Sequence, residues 1–399
     1  MLKKPKIYFD HAATTPIDPE VLEAMLPYLK EKYGNASSLH SFGQEAKAAV
    51  EQARDQLANF LGCQAKEIVF TSGATESDNL AIRGLASALS KKDKKINVIT
   101  SAIEHPAVLE TCQHLERTGV AVTYLPVTTK GLVTLESVEK AIKPETVLVS
   151  IMYVNNEIGT IQPIAAIGQL LKEINQQRIK DNLPKIYFHT DAVQAVNYCD
   201  CNVNGLGVDL LSLSGHKIYA PKGVGALYKK QRTPIQPIQY GGHHEQGMRS
   251  GTLNVAGIVG LGKAIELVKK ERKQESARLK KLRDKLIEGV LKNVPRVAVN
   301  GDLEQRVVSN ANFNFQGIEG ESLMIMLDMA GVAVSTGSAC ASGSLNPSHV
   351  LLAIGLSQAD THGSLRVTLG RETKESDIDY FISVLPAMVQ KLRNMSPFK

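Results

Sequence analysis

The sequence TVLVSIMYV, residues 146–154, decides the fold class of this chain. It is apolar at almost every position, whereas a strand with one face in water alternates apolar and polar side chains. A continuous apolar run of this length is typical of a strand that is covered on both faces, as in a parallel sheet between helices. The run therefore predicts an α/β protein in which 146–154 is a central strand.

Similar short runs lie on both sides of this strand, and helix-length segments separate most of them. The predicted strands of this part are 67–70, 97–100, 120–127, 146–154, 185–188, 208–213 and 225–228. Such an alternation predicts a large domain with a mostly parallel, seven-stranded sheet covered by helices. Ligands of these sheets bind at the carboxyl ends of the strands, so the residues that follow each run form the candidate site.

The remainder of the chain has a different pattern. After a glycine-rich region, 240–252, comes a lysine-rich helical stretch, 256–292. The other predicted elements are strands 297–299, 312–315, 332–335 and 365–369 and helices 321–329 and 376–392. They predict a smaller α+β domain, made of 1–17 and 259–399, beside a large domain of 18–258.

The composition is that of an ordinary globular protein, with 43% hydrophobic and 22% charged residues. The net charge of +6 is small for 399 residues, and it gives no reason to expect direct nucleic-acid binding. Five scattered cysteines suit a reducing cytosol rather than a disulfide framework, and their spacing predicts no metal site. We find no apolar stretch with the length of a signal sequence or a membrane span, so we expect a soluble, cytoplasmic protein without membrane contact.

A lysine follows the predicted strand 208–213, in the sequence SLSGHK, residues 212–217. At the end of a buried strand, beside a histidine and a flexible turn, Lys217 is badly placed for solubility and well placed to form an imine with a carbonyl group. A strand that ends in Gly-His-Lys is, however, more often an ordinary surface turn. The case for chemistry at Lys217 therefore depends on the other strand ends.

Polar residues also follow two other predicted strands. Gly73 and Thr75 begin a helix after 67–70, where the free helix amides form a cradle for a phosphate group. Asp191 follows 185–188, and a carboxylate buried there needs a cationic partner, such as a protonated pyridine nitrogen. Taken alone, these residues are equally consistent with a plain helix cap and a structural salt bridge.

Three further side chains are placed to contact a flat ring in the same crevice. Gln194 and Asn155 lie at the ends of two strands, where an amide can reach a ring oxygen, and His105 can stack on the ring or carry a proton. Isolated residues of these types usually have no such role. Together, however, the strand ends supply an imine lysine, a phosphate cradle, a partner for a ring nitrogen and hydrogen bonds to the ring. These are the four requirements of pyridoxal phosphate.

Five segments resemble the signatures of the NifS/IscS-type cysteine desulfurases, class V aminotransferase-like enzymes of pyridoxal phosphate fold type I. They are 10–15 (DHAATT), 73–77 (GATES), 155–159 (NNEIG), 191–194 (DAVQ) and 214–217 (SGHK). The resemblance extends from about Ile7 to the mid 370s, which is nearly the whole chain. It implies a homodimer in which 18–258 binds the cofactor and the small domain carries a catalytic cysteine.

The resemblance also implies the roles of individual residues. Lys217 would form the imine with pyridoxal 5'-phosphate and act as the catalytic base, and His105 would be catalytic and stacked on the ring. The other implied cofactor contacts are Ala74, Thr75, Ser214 and His216 at the phosphate, Asp191 at the ring nitrogen, and Asn155 and Gln194 at the ring oxygen. Thr252, in the sequence RSGT, would reach the phosphate of the neighbouring subunit.

The sequence STGSACASGS, residues 335–344, carries a single thiol, Cys340, among small residues. Most free cysteines are inert core residues, but burial is not expected in so polar a loop. The loop is similar to that of the desulfurases with a long cysteine loop, and the shorter Arg-x-Gly-x-His-Cys pattern of the second group is absent from the sequence. Arg366 matches the arginine that binds the substrate carboxylate, and we predict that Asn155 assists it.

The sequence therefore predicts a cysteine desulfurase that converts L-cysteine to L-alanine and leaves a persulfide on Cys340. The sulfur would pass to an acceptor or a scaffold protein for iron-sulfur clusters, or to tRNA thiolation. An aminotransferase or a selenocysteine lyase would use the same cofactor site, and a non-catalytic relative would retain only the fold. The stretch 257–263 (GIVGLGK) matches most of a P-loop, but Ala264 replaces the metal-binding hydroxyl and no predicted strand precedes it.

Overall fold

The computed structural model describes residues 5–90, 95–336 and 347–395. The strands of this part are β1 (Ile7–Tyr8), β2 (Ile68–Thr71), β3 (Asn97–Ser101), β4 (Ala121–Leu125), β5 (Thr146–Ser150), β6 (Tyr187–Asp191), β7 (Leu210–Ser214), β8 (Gly225–Lys229), β9 (Val297–Val299), β10 (Asn310–Phe315), β11 (Val332–Ala333) and β12 (Ser364–Thr368). The helices are α1 (Pro19–Lys30), α2 (Ser41–Leu61), α3 (Ala74–Leu89), α4 (Pro106–Arg117), α5 (Leu135–Ala141), α6 (Ile164–Lys180), α7 (Val203–Leu206), α8 (Val255–Asn293), α9 (Gly320–Met329), α10 (His349–Ala353), α11 (Gln358–Thr361) and α12 (Glu375–Met395).

The central sheet contains seven of the described strands, in the order β2-β8-β7-β6-β5-β3-β4. The pairs from β7 to β4 are parallel, and β8 is antiparallel to both of its neighbours. Helices cover both faces of the sheet. Because successive side chains of a strand point to opposite faces, one strand contributes to the apolar cores on both sides. Ile68 and Phe70 of β2 belong to one core with Leu57 of α2, whereas Val69 belongs to another with Leu80 of α3. The predicted α/β fold with a mostly parallel sheet of seven strands is therefore confirmed.

Two of the predicted strands differ from the observed ones in a way that bears on the candidate site. The central strand ends at Ser150 rather than at residue 154, and only its residues 148–150 pair with β6. Ile151 and Met152 are buried in the loop that follows, where the amides of Ile151 and Tyr153 still donate to carbonyl oxygens of β6, at 3.1 and 2.8 Å. The strand predicted at 185–188 is observed as β6, so Asp191 is the last residue of the strand instead of following it.

A smaller antiparallel sheet, in the order β12-β10-β9, lies in the C-terminal part, and β1 pairs with β11 in parallel. These strands surround a separate apolar core that contains Phe313 and Phe381. The long helix α8 joins both cores, since Leu261 packs in the large core and Leu286 in the small one. The arrangement agrees with the predicted α+β part, while the domain boundaries at 18–258 stay a prediction.

The helix α8 also accounts for the stretch that matched most of a P-loop. Residues 257–263 lie inside this helix, near its N-terminus, so their glycines are packed in a helix rather than arranged as a phosphate-binding loop. Gly260 and Gly262 allow close packing, because a Cβ atom at either position would lie less than 3 Å from side chains of neighbouring helices, at 2.7 Å from Met25 and 2.3 Å from Gln56. In the ranges that the structure describes, no helix is long and apolar enough to cross a membrane.

The N-terminal segment is held against the last strand of the chain. The carbonyl oxygen of Phe9 accepts the amide hydrogen of Thr368 at 2.7 Å, and the amide of Ala12 donates to the Thr368 hydroxyl at 3.0 Å. The Nδ1 atom of His11 lies 3.0 Å from the Thr368 carbonyl oxygen. These bonds bring Ala12 and Ala13 to the carboxyl ends of the large sheet.

A buried ion pair fixes the glycine-rich segment 240–252 against the large sheet. Arg54 of α2 donates two hydrogen bonds to the Glu245 carboxylate, at 2.8 and 2.7 Å, and another to the carbonyl oxygen of Ile68. Glu245 also accepts the amide hydrogen of Phe70 at 2.7 Å. Glu245 and Gln246 have φ angles of 46° and 56°, a left-handed conformation that is uncommon for residues other than glycine. The ion pair holds this turn in place.

Candidate active site

A cavity of about 620 Å³ opens at the carboxyl ends of β2, β6 and β7 and beside the start of α4. The predicted site residues that line it are Ala74, Thr75, His105, Asp191, Gln194, Ser214, His216, Lys217 and Arg366. Residues from distant parts of the sequence meet here because parallel strands end at the same edge of the sheet. The structure therefore brings most of the predicted residues together.

The N-terminus of α3 forms one end of the cavity. Gly73 is the N-cap, and Ala74 and Thr75 occupy the first turn, whose amides have no partner within a helix. The strand β8 lies close to this turn, since a Cβ atom on Gly225 would be 2.7 Å from the Cα atom of Gly73. The buried Ser214 lines the cavity at the end of β7. This arrangement fits an anion such as a phosphate group.

Lys217 ends the short 3₁₀ helix Gly215–Lys217 that follows β7. Its Nζ atom donates hydrogen bonds to the carbonyl oxygens of Ala12 and Ala13, at 2.5 and 2.6 Å, so the N-terminal segment forms another wall of the cavity. Burial, together with the positive charge of Lys217, lowers the pKa of the neighbouring His216 to about 4. The His216 ring is therefore neutral at neutral pH.

Asp191 is buried and lines the cavity at the end of β6. Its Oδ1 atom accepts the amide hydrogen of Val193 at 2.9 Å. Burial raises the pKa of the Asp191 carboxyl, although the hydrogen bond from Val193 and the charge of Lys217 act in the opposite direction. A cationic ring nitrogen would supply the opposite charge that a buried carboxylate needs, so this residue fits the pyridine ring of pyridoxal phosphate.

A second buried carboxyl group in the cavity wall, that of Asp78 in α3, was not predicted from the sequence. Within the described part of the chain, neither of its oxygens has a hydrogen-bond partner, and the Nε2 atom of His189 lies 3.6 Å from Oδ1. Burial and the nearby Asp191 raise the pKa of Asp78, and burial lowers the pKa of His189 to about 3. Both shifts disfavour the charged forms of the two groups.

His105 is the N-cap of α4, and its Nδ1 atom accepts the amide hydrogen of Ala107 at 3.1 Å. Pro106 takes the first helical position, where a missing amide hydrogen costs nothing. Burial, followed by the charges of Lys217 and His349, lowers the pKa of His105 to about 4. The ring is neutral with its hydrogen on Nε2, so it can stack on a flat ring and donate one hydrogen bond.

Three predicted residues have surroundings that differ from the expectation. Gln194 lines the cavity, but its side-chain amide donates to the carbonyl oxygen of Ala12 at 3.0 Å. Asn155 is buried outside the cavity lining, and both ends of its amide bind backbone groups of the adjacent loops. Thr252 is exposed and does not line the cavity of its own chain. The ring contacts of Gln194 and Asn155 and the contact of Thr252 with a neighbouring subunit stay predictions.

Arg366 of β12 reaches the cavity from the small sheet. Its guanidinium donates to the carbonyl oxygen of Asn156 at 2.9 Å and to the Asp10 carboxylate at 2.8 Å. The Nε atom is buried and has no hydrogen-bond partner among residues 5–90, 95–336 and 347–395. A buried donor without a partner is rare in folded proteins, and a carboxylate ligand in the cavity would satisfy it.

Glu157 and His349 also line the cavity, and the sequence did not assign them a role. The Glu157 carboxylate accepts the Ser348 hydroxyl at 2.6 Å, and the Nε2 atom of His349 lies 2.9 Å from the carbonyl oxygen of Glu104. Burial raises the pKa of Glu157. Glu157 could have been predicted as a site residue, because it belongs to the NNEIG motif. His349, at the start of a short helix, has no sequence feature that indicates a role in the site.

Cys340 lies outside the described residues, but the residues on both sides of 337–346 are held beside the cavity. Ser335 exchanges two backbone hydrogen bonds with Arg366, at 2.7 and 3.2 Å. Ser348, on the other side, binds Glu157. On each side of 337–346 the described chain therefore contacts a residue of the cavity wall, Arg366 on one side and Glu157 on the other.

Comparison with known proteins agrees with this geometry. Residues 7–381 match the Aminotransferase class-V family. The chain is 51% identical over 396 residues to a protein named cysteine desulfurase IscS from Dictyoglomus turgidum, which covers 99% of this chain and 98% of that protein. A solved NifS-like protein has a TM-score of 0.89 at 38% identity, with 97% of this chain and 100% of that chain covered. The solved complex of SspA with cysteine has a TM-score of 0.79 at 38% identity, with 92% and 99% covered. The chain therefore belongs to the class V aminotransferase family, among its cysteine desulfurases.

Proposed function

We propose that this protein is a pyridoxal phosphate-dependent cysteine desulfurase, which converts L-cysteine to L-alanine and transfers the sulfur to Cys340. The observation that carries the proposal is the convergence of Lys217, Asp191, Arg366 and the N-terminus of α3 on one cavity. Each of these groups meets a different requirement of the reaction. The full-length similarity to a cysteine desulfurase supports the same activity.

The residues of the cavity fit pyridoxal phosphate as the resident cofactor. The amides of Ala74 and Thr75, together with Ser214 and His216, would bind its phosphate, and Asp191 would face its ring nitrogen. When bound, the cofactor supplies an electron sink for the bonds at the substrate Cα atom. The Asp191 carboxylate supports this chemistry because a nearby negative charge favours the protonated form of a ring nitrogen.

Lys217 is placed to move the α-proton of the substrate. In this role its amine takes the proton from Cα, and a positioned general base contributes a rate factor of about 10² to 10⁴. The carbonyl oxygens of Ala12 and Ala13 accept hydrogen bonds from Nζ, so they stabilise the ammonium group that results. His105 is neutral and presents its Nε2 hydrogen as a donor.

Sulfur transfer couples the breaking of one bond to the formation of another. Arg366 holds the substrate carboxylate through the donor that has no partner in the described structure. The Cys340 thiolate attacks the sulfur of the bound cysteine, so an S–S bond forms while the Cβ–S bond breaks. The electron pair of the broken bond stays on Cβ, which takes up a proton, and the return of the α-proton to Cα then gives L-alanine. Only a few per cent of an ordinary thiol is ionised near neutrality, so the proposed reaction requires a local positive field that favours the thiolate.

The proposal includes a homodimer and a sulfur acceptor or an iron-sulfur scaffold protein that receives the persulfide. One face of α1 exposes Leu22, Leu26 and Leu29, and the rings of Tyr33 and Phe42 are exposed with centroids 5.8 Å apart. Large exposed apolar side chains that share one helix face are typical of a site of protein association. In the proposed homodimer a second copy of the chain would cover it, and the exposed Thr252 would contact the phosphate group in the partner subunit.

The decisive experiment compares alanine release from L-cysteine by the wild-type protein and by Cys340→Ala. We expect Cys340→Ala to retain the cofactor absorbance and to lose alanine production, and borohydride reduction followed by peptide mapping to place the cofactor on Lys217. The half-buried Cys63 supplies the control variant Cys63→Ala, which should keep wild-type turnover. Full alanine production by Cys340→Ala would refute sulfur transfer to this residue. A wild-type protein that binds the cofactor but releases no alanine from L-cysteine would indicate another amino-acid substrate.

A further inference from the structure

An ion pair lies at the edge of the cavity, between α3 and the glycine-rich segment 240–252. The Nε atom of Arg249 donates to Oε1 of Glu76 at 3.0 Å, and the two side chains are 19% and 15% exposed. The other oxygen of Glu76 accepts the amide and hydroxyl hydrogens of Ser72, at 2.8 and 2.5 Å. Glu76 is therefore held in one position in the first turn of α3.

The charge of Glu76 conflicts with the binding of an anion at the same helix end. Burial alone would raise the pKa of Glu76, but the hydrogen bonds from Ser72 and the charge of Arg249 outweigh burial and lower it. Glu76 is therefore ionised at neutral pH. A phosphate dianion on the amides of Ala74 and Thr75 would be repelled by this carboxylate unless a positive charge offsets it.

The positions of the two side chains show how that charge is offset. Glu76 lines the cavity, whereas Arg249 is absent from the cavity lining and meets Glu76 from the side of the segment 240–252. This segment is fixed at two points, because Arg54 holds Glu245 and the Gln239 side chain donates to the carbonyl oxygen of Ser250 at 2.9 Å. The guanidinium is thus presented to Glu76 by a well-anchored turn.

We propose that Arg249 is a positioning residue that neutralises Glu76 and thereby allows the N-terminus of α3 to bind a phosphate group tightly. Arg249 acts on the phosphate through Glu76 rather than by direct contact. The inference rests on the proposed function, because it concerns the phosphate group of the proposed cofactor. It assigns a purpose to an ion pair that neither the sequence motifs nor the reaction scheme required.

The test is a titration of the full-length apo-protein with pyridoxal phosphate and with pyridoxal, which lacks the phosphate group. Arg249→Gln is expected to weaken the binding of pyridoxal phosphate by about ten- to a hundredfold and to leave the binding of pyridoxal unchanged. Adding Glu76→Gln to this variant should restore the affinity for pyridoxal phosphate. The second substitution removes the charge that Arg249 offsets, while its amide oxygen still accepts hydrogen bonds from Ser72.

The matched control is Arg371→Gln. Arg371 pairs with Asp18, the two side chains are 19% and 17% exposed, and neither residue lines the cavity. This control should bind both ligands as the wild type does. The inference is overturned if Arg249→Gln binds pyridoxal phosphate normally, if it loses affinity for both ligands equally, or if Glu76→Gln fails to rescue it. A wild-type apo-protein that binds neither ligand would instead overturn the proposed cofactor, and the inference with it.

Discussion

The carboxyl group of Asp78 is fully buried, and the ionisable groups around it offer no positive charge. His189 is neutral because burial lowers its pKa to about 3, and Asp191 and Glu104 are themselves acids that raise the pKa of Asp78. Burial of a carboxylate without an opposite charge costs several kcal/mol, so such a group takes up a proton instead. The folded protein therefore holds a proton at Asp78 that the unfolded chain releases at lower pH.

We expect the stability of the apo-protein to fall, relative to Asp78→Asn, as the pH rises. The pKa of Asp78 in the folded state lies above its usual value of 3.8, so stability is lost from about pH 4 upward until the raised pKa is passed. The loss amounts to about 1.4 kcal/mol per pH unit in that window. Urea unfolding of both proteins at about pH 5 and about pH 8 measures it.

The exposed Asp55 of α2 supplies the control for this measurement. Asp55→Asn should differ from the wild type by the same amount at both pH values. A difference between the wild type and Asp78→Asn that is independent of pH would mean that Asp78 is ionised in the folded protein.

Apart from Arg366, which lies inside β12 and was assigned from the family resemblance, the predicted residues that line the cavity follow strand ends. Lys217 and Asp191 meet because parallel strands end at one edge of the sheet. Asp78 lies within a helix, and it is buried beside His189 and Asp191, which are distant from it in the sequence. Its burial could therefore not be predicted from the sequence pattern. Asn155 was expected in the cavity, but an asparagine after a strand also accepts hydrogen bonds from the backbone two and three residues later, as its Oδ1 atom does here.

The positions of the secondary-structure elements could be predicted more reliably than their boundaries. The strand 297–299 is observed as predicted, because turns limit it on both sides. The strand predicted at 332–335 shortens to β11, since Ser335 leaves β1 and pairs with Arg366 instead. A strand ends where its hydrogen-bonded partner strand ends or turns away. Since the tertiary fold decides which strands pair, the ends of a strand cannot be predicted from its own sequence.

The buried pair of Arg54 and Glu245 is expected to matter more when one partner is lost than when both are replaced. Arg54→Met leaves the Glu245 carboxylate buried with no guanidinium beside it, and we expect a loss of about 3–5 kcal/mol in the free energy of unfolding. The double variant Arg54→Met with Glu245→Leu should recover part of this loss, since no unpaired charge remains.

Denaturant unfolding of the wild type, both single variants and the double variant measures this coupling. If the effects of the two single variants simply add, the two side chains do not stabilise each other and the turn at Glu245 must be held by other contacts. The exposed pair of Lys140 and Glu136 is the reference, and Lys140→Met should cost less than about 1 kcal/mol.

The two largest apolar cores of the described chain are joined by α8, and a further apolar surface remains exposed on α1. Leu29 is 59% exposed and Leu26 is 37% exposed on this helix. Large apolar side chains that share one helix face rarely stay exposed to water. The patch is therefore the part of the surface where we expect the second subunit of the proposed homodimer.

We expect the double variant Leu26→Arg with Leu29→Arg to weaken the dimer. Wild-type protein should show twice the chain mass of 43.3 kDa in light scattering, and the variant should approach the mass of one chain on dilution. Leu291→Arg is the control, because Leu291 is 45% exposed on α8, away from this surface, and its replacement should leave the mass unchanged. Equal masses for wild type and the double variant would place the subunit contact elsewhere.

The bonds between the N-terminal segment and Thr368 have a consequence for biosynthesis. Residues 9–12 are made well before the strand that they bind, because Ala12 and Thr368 lie 356 residues apart in the sequence. At about 5–20 residues per second, the two parts are separated by roughly 20–70 s of synthesis. The carbonyl groups that hold Lys217 cannot reach their final positions during that interval. A nascent chain therefore has no finished cavity until β12 has been made, and the proposed cofactor could bind only after that point.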